Sequence, residues 1–481
     1  MFRRLLKFLL FSLLFLLIVI AVITVRFHSK QIGEIKNKPN VYPIDTTAIR
    51  NLSDAIKIRT ISIDNMPTDT AAFDTLIHLL ISRYPDVFSE LESVVINQSS
   101  LLLHWKGKDS GMKPVIFYAH LDVVPADTNW SFEPFDGKVD KDFIYGRGVL
   151  DDKGAVIAIF ESIHRSLVNH FIPKRDLYFA FGHDEEKSGH QGAKKIAEVL
   201  KTKNIHAEFL LDEGGIIAEG MVPFVTQPVA LIATAEKGYA TFELTVKGDG
   251  GHSSMPPIDP PVEILAAAIK SIHDHPFETR MTQPLSDFID YVGPEMKYPY
   301  KALFANRWLF QPVIFNKYKK IPGAYAMIHT TAVTTMLSGG IKENVIPSEV
   351  KATINLRILQ GEDSYSVKER LVQIIGDNRV AIRQVGNGNE PSRISSTQSQ
   401  GFLLLQDVIR SVFPDVIISP NLSTGGTDSK HFTAVTESIY RFLPTRMNSE
   451  LLEGMHGKNE KLRVSNFMEM IEFYEQILVR L

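Results

Sequence analysis

The chain has 481 residues, 44% hydrophobic and 22% charged, a globular balance at a length that calls for more than one folded unit. A net charge of -3, from 52 basic and 55 acidic side chains, lacks the basic excess of a nucleic-acid binder. With no cysteine, a disulfide framework, a thiolate metal site and a thiol nucleophile are all excluded, so any metal must be held by His, Asp and Glu.

The first element is an uncharged run, Phe8 to Val25, preceded by Arg3, Arg4 and Lys7. Its length is at the lower end of what crosses a bilayer, roughly 17–25 residues. The flanking charges place the N-terminus in the cytoplasm and the body on the far side of the membrane: periplasm, lumen or exterior. The rival reading is a cleaved signal peptide, but the run is longer than an ordinary apolar core of that kind, and Thr24-Val25-Arg26-Phe27-His28 is a poor cleavage site. Residues 1–28 are therefore read as a signal anchor and 29–43 as a polar tether.

Next, short apolar runs end on polar residues. Val115–Tyr118 leads to His120, Leu177–Phe181 to Glu185 and Glu186, and Phe209–Leu211 to Asp212. Such runs suit parallel strands buried on both faces. Between them, Ala155, Ile159, Ile163 and Leu167 recur every four residues, one apolar face of a helix. Alternating strand and helix predicts an open α/β sheet, with ligands bound outside the carboxyl ends of its strands. The middle of the chain changes period. Phe242, Leu244 and Val246, and later Val350, Ala352, Ile354, Leu356 and Ile358, alternate with polar residues. They predict strands with one open face in a smaller α+β domain. The aromatic stretch from about Phe277 to Lys320 has no clear period and is read as an elaboration of that domain, a lid or contact surface. After Arg393 the α/β pattern returns. The division is thus 44–236 and 391–481 for a catalytic domain, with 237–390 an inserted lid or dimerisation domain.

The chemistry lies in five groups: His120-Leu121-Asp122, Asp151-Asp152, Glu185-Glu186, Asp212 and His431. Histidine and carboxylate suit zinc and similar ions. The set is too large for one tetrahedral ion and suits two that share a bridging carboxylate. His120-x-Asp122 fits a ligand oriented by a second carboxylate. Asp151 suits a bridge, although helix capping explains an Asp there about as well. Of the adjacent Glu185 and Glu186, one can ligate while the other serves as a general base. His431 stands far off in sequence, and a core or surface histidine is the better reading of it alone. There is no H-E-x-x-H, no G-x-S-x-G and no phosphate loop.

Taken in order, Tyr118–Pro125, Gly146–Gly154, Asp184–Glu186, Asp212–Gly215, Gly251–Ser254 and Gly426–His431 resemble the co-catalytic zinc exopeptidases, which include carboxypeptidase S, aminoacylase and acetylornithine deacetylase. The resemblance implies a mixed sheet flanked by helices, a ferredoxin-like insertion and two zinc ions. It assigns His120 and Asp212 to one ion, Glu186 and His431 to the other, and Asp151 to the bridge. It makes Glu185 the base and Asp122 the residue that orients His120, and it implies a cis peptide at Asp151-Asp152. His252 would stabilise the oxyanion, often across a homodimer. Arg357 and Asn344 would bind the substrate carboxylate, so the substrate is a small peptide or an N-acyl amino acid. Within the family the chain most resembles carboxypeptidase S and the N-fatty-acyl-amino-acid synthase/hydrolase, on Val123-Val124-Pro125, Arg441–Pro444, His456–Glu460, the anchor and the aromatic insertion. The remaining alternative is a peptide-capturing surface protein without turnover, which would not need Glu185.

Overall fold

A computed structural model describes all 481 residues. Its main sheet runs, edge inward, through Glu92–Ile96, Ser100–Trp105, Leu177–Gly182, Val115–His120, Phe209–Asp212, Ile439–Arg441 and Val229–Glu236, then two short strands, with Ile417–Ser423 also paired to Val229–Glu236. The strands ending at His120, Gly182 and Asp212 are parallel neighbours, so their carboxyl ends share one edge. Every residue of these strands is buried, as expected of strands covered on both faces.

Helix Lys153–Val168 is buried over most of its circumference, including Val156, Ile157 and Phe160, and not only along the expected stripe. The C-terminal helix Val464–Leu478 packs along it and closes what would have been its solvent face.

The inserted sheet has the order Thr331–Ser338, Glu349–Ile358, Gly238–Lys247 and Val380–Asn389, all antiparallel. Burial alternates strictly along Gly238–Val246 and Val350–Ile358, which matches the period-two reading. Helices Pro261–Asp274 and Ser364–Ile375 cover its apolar face. Asp363 starts the second of these helices with a capping box, and Gly376, at φ 63°, ends it in the left-handed region that glycine tolerates.

The aromatic stretch differs from its expected place. It forms helices Gln283–Val292, Tyr300–Ala305, Arg307–Tyr318 and Pro322–Ala326. Leu285, Ile289, Val292, Phe304 and Ile314 share a core with Val229 and Ile417 of the main sheet. This helical insertion therefore belongs to the main body and not to the inserted sheet. Its missing period reflects short helices that bury residues against one another as well as against the sheet. The N-terminal helix, Phe2–Val25, is long and apolar enough to cross a membrane.

Candidate metal centre

Strand Val115–His120 delivers His120 to the carboxyl edge with its side chain fully buried. Its Nδ1 lies 3.0 Å from the carbonyl oxygen of Asp122 and 3.3 Å from that residue's Oδ1. The Asp122 carboxylate also accepts from the backbone N–H groups of Glu185 and Glu186, at 3.1 and 3.2 Å. One buried aspartate thus sets both the imidazole and the Glu185-Glu186 turn.

Asp151 stands between two imidazoles. Its Oδ1 is 2.9 Å from His120 Nε2, and its Oδ2 is 2.8 Å from His456 Nε2. The Glu186 carboxylate closes on His456 Nε2 at 3.3 Å, and the Glu213 carboxylate on His120 Nε2 at 3.6 Å. The Asp151-Asp152 peptide is cis. Glu460 holds the loop that carries Asp151. Its carboxylate accepts from the N–H groups of Gly148, Leu150 and Asp151 and pairs with Arg147 at 2.6 Å. Gly148 lies at φ 87°, and a Cβ there would meet Val123 at 2.6 Å, so the loop tolerates no side chain at that point.

Burial and repulsion from neighbouring carboxylates hold Glu185 and Glu213 well above the usual carboxylate range, and burial also raises Glu186. Asp152 is raised well above it too, mainly by burial, and both its oxygens lack a hydrogen-bond partner. Burial alone would raise Asp151 as well, but its contacts with His120 and His456 more than offset this and lower it. His456 is pushed up to about 10 by the same Asp151 and Glu186 contacts. Buried carboxylates in such a cluster need a cation, and without one a proton has to serve.

The donor set fits a pair of small divalent ions. Donors around a tetrahedral zinc, each about 2.0–2.2 Å from the ion, stand about 3.4 Å from one another. The imidazole–carboxylate separations here, from 2.8 to 3.6 Å, bracket that spacing. His120 Nε2 faces Asp151 and Glu213, and His456 Nε2 faces Asp151 and Glu186. His120, Asp151 and Glu186 come close enough to share one ion, as do His120, Asp152 and Glu213.

Two expected donors stand elsewhere. Asp212, the last residue of its strand, accepts from the N–H of Glu213 and of Ser429, at 2.8 and 3.1 Å. The cavity side belongs to Glu213, one residue past the strand end. His431 lies in the turn Asp428–Phe432, with Nε2 2.8 Å from the Ser188 carbonyl oxygen, in a separate cleft with Lys237, Tyr239 and Lys430. Burial lowers it to about 4. The sequence carries a signal for both residues that meet the cluster instead: Glu213 adjoins Asp212, and His456 opens the His456–Glu460 stretch.

The three residues expected to touch substrate all lie on the inserted domain, outside the cavity that meets the cluster. His252 is exposed, and its short strand Gly251–His252 pairs with Val345–Ile346. Asn344 accepts from Ser253 N–H through its carbonyl oxygen, and its side-chain oxygen is buried without a partner. Arg357 stacks on Tyr239, 4.9 Å from the ring centroid, and Tyr239 lines the cleft that holds His431.

A cavity of about 620 Å³ opens directly onto Asp151, Glu185, Glu213 and His456. Its far wall is apolar and includes Phe288, Phe304, Tyr318 and Met327 from the helical insertion.

A cluster of carboxylates with the buried His120 and the more open His456, at the carboxyl edge of an α/β sheet and facing such a cavity, defines a metal-dependent hydrolase. The chain belongs to peptidase family M20/M25/M40, whose family model matches residues 116–480. It is 36% identical to the probable carboxypeptidase S-like 2 of Dictyostelium discoideum, over 96% of this chain and 91% of the relative. It is 37% identical to the N-fatty-acyl-amino acid synthase/hydrolase of Mus musculus, over 88% of this chain and 85% of the relative. The fold is shared with the M20 metallo-carboxypeptidase Sso-CP2 of Sulfolobus solfataricus, at a TM-score of 0.68 and 18% identity, over 91% of this chain and 99% of that one.

Proposed function

We propose that the protein is a membrane-anchored, two-zinc amidohydrolase that cleaves N-acyl amino acids or small peptides bearing a free carboxylate, with its body on the non-cytoplasmic side. The observation that carries this reading is Asp151, whose two oxygens face imidazoles on opposite sides. His120 and Glu213 would hold one ion, Glu186 and His456 the other, and Asp151 both. When bound, the ions would polarise the scissile carbonyl and lower the proton affinity of the attacking water.

Glu185 lines the cavity beside this set, and its raised proton affinity suits a group that takes a proton near neutral pH. It would remove the proton of the water and pass it to the leaving nitrogen. Asp122 would keep His120 in one tautomer. Arg357, paired with Tyr239 near the start of strand Gly238–Lys247, would pair with the substrate carboxylate through its planar fork. Asn344 would complete that contact.

His252 and Arg357 lie toward opposite ends of the inserted sheet. Arg357 pairs with Tyr239 and Glu349 with Lys247, so about 26 Å of strand separates those positions at 3.3 Å per residue, and His252 lies beyond the far one. One chain is poorly built to bring both to one amide, which favours a homodimer in which each subunit lends His252 to its partner. Edge strand Thr331–Ser338 exposes Val333, Met336 and Leu337, a suitable face for that pairing.

The apolar cavity favours the N-acyl reading of the acyl side. A short peptide does not need a wall of phenylalanine and methionine, whereas an aliphatic chain does. The test is hydrolysis by the zinc-loaded full chain of Gly-Leu against an N-oleoyl amino acid, with Glu185→Gln as control. Turnover of either substrate, lost in the variant, supports the hydrolase. No turnover of either with two ions bound contradicts it and favours the capture protein.

A further inference from the structure

The helical insertion is built against both the N-terminal helix and the apolar cavity. Asn306 is fully buried, and its Nδ2 donates to the Thr24 hydroxyl at 3.0 Å and to the Ile20 carbonyl at 3.3 Å. The Phe27 ring packs so close to Gly293 that a Cβ there would fall 2.7 Å from it. Leu16, Val19, Ile20, Ile23 and Thr24 are partly or wholly covered, one stripe of the N-terminal helix, while most of the rest is bare. Leu16 sits near the middle of the Phe8–Val25 run. The covered stripe from Leu16 to Thr24 is about 12 Å long at 1.5 Å per residue. If this helix crosses a bilayer, whatever covers the stripe lies in the leaflet nearer the body. The amide nitrogen of Asn306 is thus paired with a helix carbonyl and a hydroxyl, the kind of interhelical contact an asparagine makes at that depth, while its Oδ1 is buried without a partner.

The outer side of the insertion has the composition that such a depth requires. Trp308, Leu309 and Val313 are 57%, 37% and 44% exposed, and they begin two residues past Asn306. Exposed Lys317, Lys319 and Lys320 follow at the other end of the same helix. Tryptophan and aliphatic residues followed by lysines mark a helix that lies in a membrane interface. The same helices turn Phe304 and Tyr318 inward to line the cavity, and Ile321, at its rim, is 38% exposed.

We infer that the helical insertion is seated in the outer leaflet beside the N-terminal helix, and that the cavity takes the acyl chain of its substrate from that leaflet. The loading half of this inference rests on the N-acyl reading above. The seating half rests on the membrane-anchor reading above, together with the anchor contacts and the exposed face.

The full chain is placed in phosphatidylcholine vesicles with plain or brominated acyl chains, and tryptophan emission is compared with that of Trp308→Phe. Seating predicts that the emission lost in the variant is the part that bromine quenches, by half or more. Equal emission from Trp308 in both lipids overturns it. The double variant Leu309→Glu/Val313→Glu is then given a bilayer-borne N-oleoyl amino acid and a water-soluble N-acetyl amino acid. Loading predicts about a tenfold loss on the first and less than about a twofold change on the second. Equal change on both overturns loading. Cleavage of Gly-Leu without cleavage of any N-acyl amino acid defeats the N-acyl reading and loading with it, while the quenching result still decides seating.

Discussion

The carboxyl edge of the main sheet and the inserted domain were expected to supply one site, but they differ in how complete they are. The first is assembled: two imidazoles each stand within 2.9 Å of an oxygen of Asp151, with the surrounding loops pinned by Asp122 and Glu460. The second presents Arg357 near one end of a sheet and His252 beyond the other, neither facing the cavity. On the proposed roles, the chemistry is preorganised in one chain, while recognition would need domain movement or a second subunit. Buried charge explains the contrast. A carboxylate cluster is tolerated only if every member is fixed near a cation, whereas solvated recognition groups can be brought in later.

The sharpest way to break this division is Glu185→Gln. It should lower kcat by roughly 10²–10⁴-fold with both ions retained, measured by steady-state kinetics alongside metal analysis. Loss of the ions instead would make Glu185 a ligand. Arg357→Ala should raise KM for carboxylate substrates by roughly 10–100-fold with little change in kcat, the value of one charge-assisted contact. Equal effects on both constants would move Arg357 into the chemistry. If the partner lends His252, mixing Glu185→Gln with His252→Ala chains should restore about a quarter of wild-type activity, because half the dimers are mixed and each has one intact site. No recovery would make His252 act within its own chain.

Chelation should weaken the main body more than the inserted domain. In the metal-free protein Glu185, Glu213 and Asp152 hold protons more tightly than they would in the unfolded chain. Their contribution to stability is therefore present at low pH and is lost as pH rises above the ordinary carboxylate range. Thermal unfolding of the apo form should show a melting temperature that falls from pH 5 to pH 8, a trend that added zinc abolishes. The smallest effect expected is that of His431→Ala, less than about threefold on activity, as for a substitution outside the cluster.

Much of this was legible in the sequence, and the exceptions have physical reasons. Apolar runs ending at His120 and Glu185 marked the binding edge because parallel strands share one carboxyl end. Alternation placed the inserted strands correctly because their two faces meet different solvents. The choice between Asp212 and Glu213 turns on one residue of strand end, which periodicity cannot fix. His456 follows no strand. It reaches the cluster because Glu460, four residues on, clamps the Asp151 loop, a long-range contact with no local signature. The helical insertion lacked a period because its short helices pack on each other as well as on the main sheet.

Metal stoichiometry tests the central claim most directly. The full chain, its His456→Ala variant and its His431→Ala variant are dialysed against zinc buffer, and bound ions are counted per folded chain. The account predicts two ions, one ion and two ions respectively. Two ions in His456→Ala with one in His431→Ala would contradict it and return the second site to His431.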